Sequence, residues 1–171
     1  MAAITGLRGG AVVASQSAVA SAVGASSTAA ALLGHSNTIP AGTLQVGDVI
    51  TGRATFLVST DSTPNLTVAL ANGTTALVTP LSATATGSGL SARAVTMDYE
   101  ITVRAIGATG TLELVGRVSP VDTAALVPIR AAATVDTTAD IVLDTQVTFG
   151  TSHATNTCTG EQHVTKRYGR S

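Results

Sequence analysis

The chain has 171 residues, a formal net charge of −1, 11% charged residues, one cysteine and four aromatics, Phe56, Tyr99, Phe149 and Tyr168. That length holds one β domain with an adequate core plus an appendage. The balance leaves no basic stripe or stacking platform for nucleic acid, few flat rings for carbohydrate, no continuous apolar stretch for a membrane span and no internal disulfide.

Residues 1–38 differ from the rest. "GGAVVASQSAVASAVGASSTAAALLG" is nearly all Ala, Ser, Val and Gly, and its only large apolar anchors are Ile4, Leu7, Leu32 and Leu33. Such a segment has little surface to bury against its ordering entropy. It is expected to be an extended arm ordered by something else, with neighbouring subunits favoured over its own domain. Arg8 before a small-residue stretch suggests a secretory signal, but Ser15, Gln16, Ser17 and Ser21 leave no apolar h-region.

At "IPAGTL" the pattern changes. Between Asp48 and Val58, Ile50, Ala54, Phe56 and Val58 alternate with polar Thr51, Arg53 and Thr55, the period of a half-buried strand. "NLTVALA" places Leu66, Val68 and Leu70 on one face, and Asn72-Gly73 supplies a two-residue hairpin turn before "TTALVTP". From Ala94 to Ile106, Val95, Met97, Tyr99, Ile101 and Val103 point one way, with Asp98, Glu100 and Arg104 on the other face. "GATG" then turns the chain into a strand over 111–118, so that Glu100 and Arg104 are expected to face Arg117 and Glu113. Such exposed pairs set register more than stability. Ile141, Leu143, Val147 and Phe149 repeat the alternation, and a last strand covers roughly Cys158 to Tyr168, although its alternation is poor.

Seven or eight strands joined by Gly, Pro and Ser/Thr turns, with no helices between them, predict an all-β, antiparallel two-sheet β-sandwich over 39–171, preceded by the arm. Its Thr-rich, weakly charged edges favour burial in an oligomer.

The order "IPAGTLQVGDVI…ATFLV", "LTVALANGTTAL", "MDYEITVRAIGATGTLELVGRV" and "TADIVLDTQVTFGTSHATNTCT" resembles a jelly-roll β-sandwich domain of tailed-bacteriophage virion proteins, found in head-decoration (cement) proteins, head fibres and tail-fibre tips. The likeness spans about residues 38–168 and rests on strand-and-turn pattern. "TVRAIGATGT" at 102–111 and "HATNT" at 153–157 occupy the places of the family's hairpin and of the turn before its closing strand. The ending "GEQHVTKRYGRS" departs from it by being more basic, which puts Lys166, Arg167 and Arg170 on a surface or subunit contact. The resemblance implies a homotrimer in the virion, on the capsid exterior, whose arm, with Ile4, Leu7, Arg8, Leu32 and Leu33, binds the major capsid protein or other virion proteins. It implies no cofactor, nucleic acid or membrane. A receptor-binding module at a fibre or tail tip is the alternative.

Catalytic and metal readings are weaker. His153, Cys158 and His163 recur at equal intervals, but that spacing matches no closed zinc pattern and lacks a fourth ligand. Asp136, Asp140 and Asp144 recur every four residues without a calcium-loop signature, and read as solvated turn and strand-face carboxylates. Asp98 and Glu100 share a face as a glycosidase pair does, but nearby Arg104 favours a register role. Cys158 reads as a small buried hydrophobe.

Overall fold

A computed structural model of the chain describes residues 11–16, 23–24, 31–60, 65–84, 91–119, 129–150 and 153–169. The strands that alternation predicts all form: β5 (Val49–Ser59), β6 (Asn65–Asn72), β7 (Thr75–Thr84), β8 (Arg93–Ala105), β9 (Gly110–Val118), β11 (Ile141–Phe149) and β12 (Thr157–Tyr168). Between them lies β10 (Ile129–Val135), and before them β1 (Ala11–Gln16), β2 (Val23–Gly24), β3 (Ala31–Leu32) and β4 (Asn37–Ile39). The long sheet has the order β1-β12-β5-β8-β9-β10, with β2 also on β12; the short sheet runs β3-β11-β6-β7, with β4 also on β11. All pairings are antiparallel.

The core lies between the sheets and is made by the predicted alternation. Ile50, Phe56 and Val58 of β5, Val95, Met97 and Ile101 of β8, and Leu112 and Leu114 of β9 meet Leu66, Val68 and Leu70 of β6 and Leu143, Val147 and Phe149 of β11. Each such side chain contributes about 1.5–3 kcal/mol on burial. The last two long strands return beside the first two, β12 on β5 and β11 on β6, which gives the outer rungs of a rolled hairpin. Beyond those rungs β8 pairs with β5 in the same sheet, and β7 stays on β6.

The pairing adds three details to the sequence reading. The boundary expected at residue 38 falls inside β4, and 31–39 belong to the sandwich: β3 and β4 pair with β11, and Leu33, His35 and Asn37 are buried. Upstream, β1 and β2 run along the free side of β12. Small residues suit such edge strands, because backbone hydrogen bonds, not side-chain volume, offset their ordering. The hairpin after β6 turns through Gly73 and Thr74, one residue later than expected, since Asn72 pairs with Thr75 and Gly73 takes the positive φ of 55°. The poor alternation of the last strand has a local cause as well: a bulge between Gly160 and Gln162 switches parity, so that Cys158 and Gly160, then His163 and Thr165, all face inward.

Candidate functional site

Two features stand out from a uniform sandwich: a polar cluster sealed between the sheets and a charged depression on the outer face of the long sheet directly behind it. Both are organised around Gly52. A Cβ there would lie 2.0 Å from the Tyr99 ring, so glycine lets Tyr99 of β8 lie across β5 and reach β12.

Inside, the Tyr99 hydroxyl is 2.8 Å from both His163 Nε2 and Thr165 Oγ1. Asn37 Nδ2 donates to Thr165 Oγ1 at 2.9 Å and to the His163 carbonyl at 3.1 Å. His163 Nδ1 is 2.8 Å from the His35 carbonyl, which only accepts, so Nδ1 carries the proton of the neutral ring. The direction of the chain follows: Asn37 donates to Thr165, Thr165 to Tyr99, and Tyr99 to His163 Nε2. Every member is satisfied while His163 stays neutral. Burial pushes the His163 pKa down, partly countered by the His35 carbonyl, and pushes that of Tyr99 up.

His35 sits beside this chain, on the bulge between β3 and β4. Its ring is fully buried, 5.3 Å from the His163 ring, and it packs on Gly160, where a Cβ would come within 2.6 Å of Nδ1. Neither ring nitrogen has a hydrogen-bond partner among the described residues. Nε2 lies 3.8 Å from Asp144 Oδ1, beyond hydrogen-bond reach. Burial lowers the His35 pKa to about 4, with the neighbouring His163 adding to it, and burial raises that of Asp144. Both shifts favour neutral groups over an ion pair. Asp144 is occupied otherwise, accepting from Gly34 N at 3.1 Å and Thr145 N at 2.7 Å to close the bulge onto β11. It is therefore a buried clamp and not a solvated carboxylate.

Outside, the register aligns two cross-strand rows. Val164, Arg53, Asp98 and Arg117 form one, and Lys166, Thr51, Glu100 and Val115 the next. Asp98 holds both arginines, taking Arg53 Nε at 2.6 Å and Arg117 Nε at 3.2 Å. That hydrogen bond and its charge raise the Arg53 pKa. Between the rows, over Gly52, is a depression of about 440 Å³ lined also by Gln162, Lys166 and Tyr168. A second, of about 380 Å³, adjoins it and shares Thr51, Asp98, Tyr99 and Arg117, adding Glu100 and Val115. Further along the face Glu113 sits between Arg130 and Arg104, its pKa lowered chiefly by the Arg130 hydrogen bond.

The expected charge pairs are thus shifted by two residues. Asp98, not Glu100, faces Arg117; Glu100 faces Val115; and Arg104 reaches Glu113 diagonally at 4.0 Å. Asp98 and Glu100 do share a face, with guanidinium groups beside Asp98.

The residues expected at assembly contacts scatter. Leu33 is in the core, its N–H bonded to the Thr145 carbonyl, and Leu32 is half-buried on β3. Arg167 is tied within the chain: it donates to Asp48 Oδ2 at 2.9 Å from Nε and to the Thr43 carbonyl, and keeps 25% of its side chain exposed. Lys166 lies on the outer face. Ile4, Leu7, Arg8 and Arg170 lie outside the described residues. Asp136 caps its own turn through Thr138, and Asp140 accepts from Ala41 N at 2.8 Å. Cys158 and His163 face the core while His153 lies in an exposed turn, and among the described residues no three His, Cys, Asp or Glu converge to hold a metal. Burial raises the Cys158 pKa, as befits a core hydrophobe.

No family model matches the chain, and no curated protein matches it. Among solved structures it is similar to arcelin-5, a lectin-like defense protein from Phaseolus vulgaris, at 12% identity over 78% of this chain and 77% of that chain, with a TM-score of 0.34.

Proposed function

We propose that the chain is a non-enzymatic structural component of a bacteriophage virion: a homotrimeric capsid decoration protein that engages the major capsid protein or other virion proteins through its N-terminal segment. One observation carries this reading beyond the sequence resemblance. The strands that flank β12 and β11 come from the Ala/Ser/Gly/Val-rich segment, which lies along both sheets at the same side of the sandwich. Backbone pairing of this kind is not sequence-selective, so the edge of β12 accepts the same segment from a neighbouring copy as readily as from its own chain. Exchange among three copies links them, and three weak attachments to a lattice then act with the avidity of one strong one.

Two measurements test the reading. Sedimentation equilibrium at micromolar concentration is expected to give a trimer, and a stable monomer refutes the exchange. Electron microscopy of particles mixed with the purified protein is expected to show regular density over the capsid. Density confined to tail or fibre tips replaces the decoration role with receptor binding.

A further inference from the structure

We propose that the depression over Gly52 is a binding site for an acidic polysaccharide, with a sugar carboxylate seated between Arg53, Arg117 and Lys166. The assignment holds wherever the chain sits on a particle, because it rests on the outer face alone.

The first step is charge. The face carries Arg53, Arg104, Arg117, Arg130 and Lys166 against Asp98, Glu100, Glu113 and, at the β12 bulge, Glu161, a surplus of one positive charge in a chain whose formal net charge is −1. Around the larger depression the surplus is held by Arg53, Arg117 and Lys166 against Asp98 alone. Lys166 makes no ion pair among the described residues. Asp98 fixes the two guanidiniums by their Nε sides, yet their side chains remain 61% and 52% exposed. Their other N–H groups are left for a planar anion, the geometry that suits a carboxylate.

The second step is the rest of the lining. Thr51 and Gln162 offer a hydroxyl and an amide, Asp98 accepts hydrogen bonds from sugar hydroxyls, and Tyr168 is one of only four aromatic residues in the chain. A volume of about 440 Å³ lies within the range of small-ligand sites. A protein partner fits this face less well, since its only exposed large apolar side chain among the described residues is Val115 and an interface needs an apolar centre.

The third step is continuity. The second depression shares four residues with the first and carries Glu100, which repels an anion but hydrogen-bonds a neutral sugar. Acidic and neutral sugars in alternation match the two in order.

The test is calorimetric titration of the full chain with an oligosaccharide of alternating glucuronate and N-acetylglucosamine, against a neutral N-acetylglucosamine oligomer and polyglutamate. Binding of the acidic oligosaccharide is expected to weaken with salt and to fall about tenfold in Arg53→Gln/Arg117→Gln. Arg104→Gln/Arg130→Gln, on the same face outside the depression, is expected to stay within about twofold. Should the first double variant fail to fold, Lys166→Gln is expected to lose about threefold by itself. Absence of binding at millimolar oligosaccharide overturns the assignment. So does equal loss in the two double variants, or equal binding of the neutral oligomer or of polyglutamate.

Discussion

Acid should loosen this sandwich well before its exposed carboxylates are protonated, through His35. Its ring lies 5.3 Å from that of His163 on β12, packs on Gly160 of the same strand, and has Nε2 3.8 Å from Asp144 of β11. With a folded pKa lowered from 6.5 to about 4, the unfolded chain binds the proton more readily between those values. The neutral ring therefore contributes stability that is fully present above about pH 6.5 and is lost as the pH falls toward 4. The whole shift corresponds to about 3 kcal/mol, of which about 2 kcal/mol is lost by pH 5. His163, also lowered, acts in the same direction. Asp144, raised by burial, offsets part of the loss, while Glu113 and Asp136, both lowered, weaken the fold only at more acidic pH. Urea unfolding of the wild type at pH 7 and pH 5 measures the loss. His35→Met, close in volume and leaving no ring nitrogen unpaired, is expected to recover about 2 kcal/mol of the pH dependence. A wild type that changes by less than about 0.5 kcal/mol, or a variant with the same slope, refutes the reasoning.

Three further outcomes follow from the packing. Tyr99→Phe removes the hydroxyl that joins Thr165 to His163 and should cost about 1–3 kcal/mol by denaturant unfolding; an unchanged midpoint would sink the assigned hydrogen-bond direction. Gly160→Ala drives a Cβ against His35 and should cost about 1–3 kcal/mol, most of it relieved in a His35→Ala background; simple additivity would show that the cost does not arise from the ring. Deleting residues 1–38 strips Leu33, His35 and Asn37 from the interior and should abolish cooperative thermal unfolding, whereas a transition identical to that of the full chain would return those residues to the status of an appendage.

The sandwich was legible in the sequence wherever one face meets the core and the other meets water. β8 places a large apolar residue at every second position from Val95 to Val103, and β5, β9 and β11 do so at most of theirs, with burial largely following that parity. Legibility fails for two physical reasons. Strands of small residues, such as "AVVASQ" in β1 and "IRAAATV" in β10, carry too little side-chain contrast to reveal a period, because their stability comes from backbone pairing with a neighbour. A bulge also hides a strand whose two halves are each regular, as in β12, where Gly160 and Gln162 bracket the change of parity. The polar cluster was invisible for a related reason: its residues are far apart in sequence, the pairing of β12 with β5 and of β5 with β8 aligns Tyr99, His163 and Thr165, and β4 on β11 brings His35 and Asn37 against them from the other sheet.

One sequence signal for the site went unread, glycine in the middle of a strand. Gly52 and Gly160 each interrupt an otherwise β-forming run, which weakens a strand unless another group needs the space. Here Tyr99 lies over one and His35 over the other. The same two absences of a side chain thus bring the tyrosine to its partners and seat the histidine between the sheets. A substitution at Gly52 is consequently expected to disturb both faces of the long sheet together, since the ring below and the depression above share one backbone segment.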